Sequence, residues 1–223
     1  MLAMLALGFA SGLPFMMFFS KLGRWLTDAG IDKATIGFFF WISLAYAFKF
    51  VWAPIVDRAK IPLLTNWLGQ RRSWMFLAIC GTIAGMLTLS LGQPDPNVAG
   101  SLTVIIIGSF ILTYSGATLD IAVDAWRIES GSNDEQANLA AVYQLGYRFA
   151  IMAAGYAMVF ADYTSWNATY QISALMMAAI LFAVLFVKEP FRKKQLSEPK
   201  GMSENVDAYV VKPFSSFAAR YGK

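Results

Sequence analysis

Six stretches of this chain are each apolar for close to the length needed to cross a lipid bilayer. A spanning helix needs about 20 predominantly apolar residues, because it must cover ~30 Å of hydrocarbon at 1.5 Å per residue. The runs cover about 2–26, 35–56, 74–91, 101–123, 139–161 and 168–187. Of the 223 residues, 57% are hydrophobic and 14% charged, whereas soluble domains average about 45–50% and 25%. These features predict an all-α integral membrane protein with six transmembrane helices over residues 1–191, followed by a basic segment over 192–223.

The connections between the runs carry turn chemistry. Gln93-Pro-Asp-Pro-Asn97 cannot stay helical, since proline lacks the N–H and disfavours helix before it. Asp32 or Thr35 is placed to cap the second helix. Gly8-Phe-Ala-Ser-Gly12 and Gly81-Thr-Ile-Ala-Gly85 put small residues one turn apart, which lets helix backbones approach closely in lipid. The second connection holds Arg58, Lys60, Arg71 and Arg72, the fourth Arg127, and the tail runs Lys188-Glu-Pro-Phe-Arg-Lys-Lys194. The third and fifth connections carry no Lys or Arg, and the first only Lys33. Basic residues collect on the cytoplasmic side, so both termini are predicted to be cytoplasmic.

Charges inside the runs need a reason, because burying them in lipid is costly. Lys21 and Arg24 lie near the outer end of the first run and can reach the headgroups. Arg148 follows Leu139 by nine residues, about 14 Å at helical rise and so near the midplane. Lys49 is about 10 Å from the inner end of its run. An excess of buried cations points to an anionic substrate and a water-filled path; the alternative is that Arg148 pairs with Asp120 and binds nothing. Gln144, Tyr46 and Tyr114 lie in the same runs and can hydrogen-bond sugar or peptide groups. Lys49, Arg148, Gln144, Tyr46 and Tyr114 are therefore the candidate substrate path. Tyr147 and Tyr156 are of the same kind, whereas Phe38-Phe-Phe-Trp41 and Trp74 read as interfacial belt.

Other chemistries find no support. The chain has no histidine and a single cysteine, Cys80. It contains no GxSxG, Walker A, HExxH or CxxC pattern. The expectation is no enzyme, no metal, no cofactor and no nucleic-acid partner.

Phe48-Lys-Phe-Val-Trp-Ala-Pro-Ile-Val-Asp-Arg58, followed by Gly69-Gln-Arg-Arg72, resembles the loop motif of the major facilitator superfamily. Ala53 replaces the usual glycine, and Ala59–Leu68 is an insertion. Leu7-Gly-Phe-Ala-Ser-Gly-Leu-Pro14, Gly30-Ile-Asp32, Thr35-Ile-Gly-Phe-Phe39, Ala47-Phe-Lys-Phe-Val-Trp-Ala-Pro54 and Thr118-Leu-Asp-Ile-Ala-Val-Asp-Ala-Trp-Arg-Ile-Glu129 are similar to the muropeptide permease (AmpG-type) family. Leu119 stands where that family usually has glutamine. The resemblance spans about residues 7–195 and implies proton-coupled import of anhydro-muropeptides for peptidoglycan recycling. Acetyl-coenzyme A transporters share the same blocks, so the motifs leave the substrate open. It also implies twelve spans in two pseudo-symmetric halves around a central site, of which this chain supplies the N-terminal six. Residues Lys212–Lys223 read as the approach to a seventh span. A gene fragment without transport activity, a half that pairs with a separate second half, and a homodimer are the three forms to consider.

The loop resemblance makes Asp57, Arg58, Arg71 and Arg72 candidates for a gate that ties helix ends together. Asp120 lies about 28 Å from Ser101 at helical rise, close to the full hydrocarbon thickness. Asp120 and Asp124 are thus expected in the last turns of the fourth helix, on one face, as the acidic half of that gate. A proton role stays open for Asp120.

Overall fold

The computed structural model describes residues 1–190 apart from Lys188; Lys188, the basic run Arg192–Lys194 and the rest of 192–223, with Lys212–Lys223, lie outside the described residues. Every regular element among the described residues is helical. We number them α1 (Leu2–Asp28), α2 (Lys33–Val51), α3 (Ala53–Arg58), α4 (Leu64–Leu68), α5 (Gln70–Ser90), α6 (Thr103–Ser130), α7 (Gln136–Tyr163) and α8 (Trp166–Val184).

Each predicted run overlaps one of the long helices, but the second, about 35–56, is divided at Trp52 between α2 and α3. Among the described residues, five (α1, α2, α5, α6 and α8) are long and apolar enough to cross a membrane. α7 matches α6 in length at 28 residues but falls short of that apolarity, because Gln144, Arg148 and several tyrosines interrupt its apolar residues. Several boundaries differ from the sequence expectation. α5 begins four residues before Trp74, so Arg71 and Arg72 belong to its first turn rather than to a loop. α6 runs seven residues beyond Val123, because Asp124, Arg127 and Glu129 prolong the helix past its apolar part instead of ending it.

α1 is the central helix and packs against α6, α7 and α8. Its buried residues include Leu7, Ala10, Ser11, Leu13, Met17, Phe18 and Leu22, which together cover about half of the cylinder at ~100° per residue, as expected of a helix with several neighbours and one more open side. Pro14 stands inside it, and Met17–Leu22 then widens into π-helical turns. The Met17 carbonyl accepts a hydrogen bond from the Tyr170 hydroxyl of α8 at 3.1 Å. The α1–α7 contact is a backbone contact. A Cβ on Gly8 would meet the Tyr143 carbonyl, and one on Gly146 would meet the Leu5 carbonyl. Gly12 likewise faces Tyr147 and Ala150, and Gly85 of α5 backs onto the Leu112 backbone of α6. Both predicted small-residue pairs therefore sit at helix crossings.

α2 is peripheral and irregular. Its most apolar window is 6% buried, against 56% in α1. It tightens into 3-10 turns at Phe40–Ser43 and Lys49–Val51 and breaks at Phe48. Asp32, not Thr35, caps it: the Asp32 carboxylate accepts from the Thr35 N–H at 3.0 Å and the Thr35 hydroxyl at 2.6 Å. These bonds hold the Asp32 carboxyl below its ordinary range. A capping box, in which Glu135 accepts from the Ser132 N–H and hydroxyl at 3.0 and 2.9 Å, leads into α7. Ser165 caps α8 by accepting from the Ala168 N–H at 3.1 Å.

Candidate functional site

Two charged clusters stand on this frame. The first lies within the bundle, where α1, α2, α6 and α7 converge. Lys49 Nζ of α2 reaches Asp120 Oδ2 of α6 at 3.5 Å. The Asp120 side chain is 19% exposed and that of Lys49 36%. Ser11 from α1, Tyr46 from α2, and Tyr143 and Tyr147 from α7 lie near enough to the carboxylate to interact with its charge. The Tyr46 hydroxyl is aimed at Gly116, one turn before Asp120, where a side chain would block it. Phe15 meets the Tyr46 ring edge-on at 5.3 Å.

The helix runs on past this pair. Asp120 is ten residues from the end of α6 at Ser130, about 15 Å, rather than in its last turns, and 17 residues from its start at Thr103, about 26 Å. Ser11 is nine residues from Leu2, about 14 Å by the same rise. Asp124 is set apart from Asp120. Its side chain is 50% exposed and pairs only loosely, at 3.6 Å, with Arg127 on its own helix. Lys49 supplies the counter-ion to Asp120 that the sequence offered as Arg148.

The second cluster closes the charged end of the bundle. Arg71 has a side chain only 7% exposed. Its Nη2 and Nε donate to Glu129 at 2.6 and 3.0 Å, a bidentate pair, and its Nη1 donates to Asp57 at 2.8 Å. The backbone N–H groups of Arg71 and Arg72 donate to Glu189 at 2.8 and 3.1 Å. A carboxylate is favoured there because the first turn of α5 leaves N–H groups unpaired at the positive end of the helix dipole. Arg72 donates to the Val184 carbonyl at 3.3 Å and also to the Leu185 carbonyl, satisfying the end of α8. Gln70 donates to the Asp57 carbonyl at 2.7 Å, and Arg58 closes α3 beside it. The ends of α3, α5, α6 and α8 are thereby tied together. The acidic partner of Arg71 on α6 is Glu129; the structure does not bring Asp120 or Asp124 to it.

The remaining candidates are dispersed. Tyr114 stacks on Trp52 at 4.7 Å, and Trp52 Nε1 donates to Thr118 at 3.2 Å. These residues line a groove of about 150 Å³ with Trp74. Gln144 and Arg148 lie on the exposed face of α7. Arg24 pairs with Asp28 at 2.8 Å near the helix end, whereas Lys21 is 6% exposed and does not reach outward. Ser11, Tyr143, Glu129 and Glu189 were not singled out from the sequence. Ser11 is one small residue in an apolar run, and only the fold shows which carboxylate it faces. Glu129 is nine residues and so 2.5 helical turns beyond Asp120, on the opposite side of the helix, so its spacing gave no signal. Among the described residues no group of three or more His, Cys, Asp or Glu could hold a metal ion.

The sequence model of the Major Facilitator Superfamily matches residues 2–220. A Rickettsia felis protein named as transporter AmpG 4 is 33% identical over 220 residues, 96% of this chain and 51% of that protein. The Anhydromuropeptide permease of Escherichia coli K12 is 29% identical over 219 residues, 97% of this chain and 42% of that protein. The chain spans about half the length of the curated relatives it matches.

Proposed function

We propose that this chain, which belongs to the Major Facilitator Superfamily, forms over residues 1–191 one six-helix half of a secondary transporter that imports anhydro-muropeptides together with protons. Membership makes it a membrane transporter rather than an enzyme, and its helices long enough to span the bilayer agree with that. The observation that carries the finer reading is the Lys49–Asp120 pair, a cation and a carboxylate of two membrane-spanning helices joined at 3.5 Å. Charges on spanning helices are seldom retained for stability alone. A cation suits the anionic groups of a sugar-peptide, and a carboxylate suits a proton. The printed name of the Escherichia coli relative supports the substrate class. The Arg71 network supports a gate, since it joins four helix ends through bonds that break together. The partners are the anionic substrate, protons, the bilayer and a second six-helix half, with both termini facing the cytoplasm of a bacterial inner membrane.

Proteoliposomes holding this chain and a second half test the reading. Uptake of radiolabelled anhydro-muropeptide should follow an imposed proton gradient and collapse with an uncoupler. Gradient-independent uptake would remove the proton. No uptake by well-folded protein would leave a remnant that transports nothing.

A further inference from the structure

The Lys49–Asp120 pair is loose and one-sided. A single contact of 3.5 Å joins Lys49 Nζ to Asp120 Oδ2, while Asp120 Oδ1 is buried without a hydrogen-bond partner. The buried oxygens of Ser11 and Tyr46, residues near enough to interact with the charge of the same carboxylate, are in the same condition. Interiors seldom leave such atoms unpaired, and a cluster of them marks a place for a proton, a water or a ligand group. The groups facing Asp120 are Lys49 and Tyr46 from α2, Tyr143 and Tyr147 from α7, Ser11 from α1 and Asp124 from its own helix. In that set Lys49 is the single cation. The collar is otherwise hydroxyl, and a hydroxyl can turn to donate or accept. It therefore suits a carboxylate and a carboxylic acid equally, where a ring of N–H donors would favour the charged form alone.

A proton on Asp120 would leave Lys49 with its charge and no anion, an expensive state within a membrane. Lys49 is also the more reachable partner, 36% exposed against 19%. We propose that Lys49 is a shared cation, held by Asp120 while the site is empty and by an anionic group of the substrate, a carboxylate, once Asp120 carries a proton. This rests on the transporter reading above and supplies its coupling step. A solvent proton adds to Asp120, the Nζ···Oδ2 contact opens, and Nζ takes the substrate oxygen. The pair is neutral when empty and neutral when loaded, so one proton accompanies each anionic group.

Calorimetry on the full chain together with the second half in lipid nanodiscs, with an anhydro-muropeptide titrated in two buffers of different ionisation enthalpy, counts protons taken up on binding. The wild type should take up close to one proton where Asp120 is ionised, with Kd rising about tenfold per pH unit there. Asp120→Asn should bind with no uptake and no pH dependence. Lys49→Gln should lose binding, as should the neutral double variant Lys49→Gln/Asp120→Asn, which strands no charge and so retains the fold. Proton uptake persisting in Asp120→Asn, or unchanged affinity in the double variant, overturns the exchange. If the wild type binds no muropeptide, the substrate class of the preceding section falls. The titration is then run with acetate and inorganic phosphate: uptake with either supports the exchange, and none with both overturns it.

Discussion

Removing the Arg71 guanidinium strands two carboxylates at once, since Asp57 and Glu129 both bind it. Breaking a buried ion pair costs roughly 3–5 kcal/mol, but the Asp57 side chain is 44% exposed and water screens that part. About 2 kcal/mol is therefore expected for Arg71→Ala. Arg71→Lys keeps the charge but loses the fork that fits Glu129 bidentately, and should fall between the two. Thermal unfolding of the purified variants measures this. Combining Arg71→Ala with Glu129→Gln should cost less than the separate losses added, as residues in one network do. An Arg71→Ala protein that melts with the wild type would mean that the network contributes nothing. At this scale the sequence showed which residues need an explanation but not whom they meet. Lys49 and Asp120 are 71 positions apart, and Arg148, sharing their chemistry, was as plausible a partner until the fold placed it on an exposed face.

Among the elements, the α1–α7 pairing is the most sensitive to added volume. The Gly8 and Gly146 positions each press on a carbonyl of the opposite backbone, which cannot swing away as a side chain tip does. Overpacking typically costs about 1–3 kcal/mol, and Gly8→Ala and Gly146→Ala should each reach that range by thermal unfolding. Gly155 on the same α7 has nothing within 4 Å of an added Cβ, so Gly155→Ala should be neutral or slightly stabilising. Equal behaviour of the three variants would refute the backbone contact. The start of α7 carries a pH dependence. Hydrogen bonds from the Ser132 N–H and hydroxyl hold the Glu135 carboxyl below its ordinary 4.5. Its folded state is thus the more acidic, so the capping box helps fully above about pH 4.5 and is lost as pH falls through the lower folded value. Amide exchange at Ser132–Gln136 should accelerate in acid for the wild type, beyond the intrinsic rate, and be fast at every pH for Glu135→Ala. The long elements were readable from apolar length alone. Their ends were not: Arg127 read as part of a connection because charge ends a membrane span, yet a helix outside lipid continues through charge without penalty. That one difference moved Asp120 from the last turns of α6 to ten residues inside it.

For the molecule as a whole, the exposed faces of α2 and α7 make the strongest case for a second half. The α2 window is 6% buried, and α7 exposes Gln144 and Arg148 among Leu145, Phe149 and Tyr156, with Tyr156 71% exposed. An arginine about nine residues into an apolar run is costly against lipid but at home against a cavity between two halves. Arg148→Ala should then abolish transport by a reconstituted two-half protein while leaving insertion and melting of this chain unchanged. Removing a charge from an exposed helix face takes away no packing, and the membrane inserts an alanine more readily than an arginine. Membrane fractionation and thermal unfolding give the insertion and fold; uptake into vesicles gives the transport. Arg148→Lys separates two uses of the charge. A point charge that only draws anions inward is preserved, whereas bidentate bonding to a carboxylate is lost. Wild-type uptake by Arg148→Ala removes the residue from the path, and the anion-binding burden then falls on Lys49 alone.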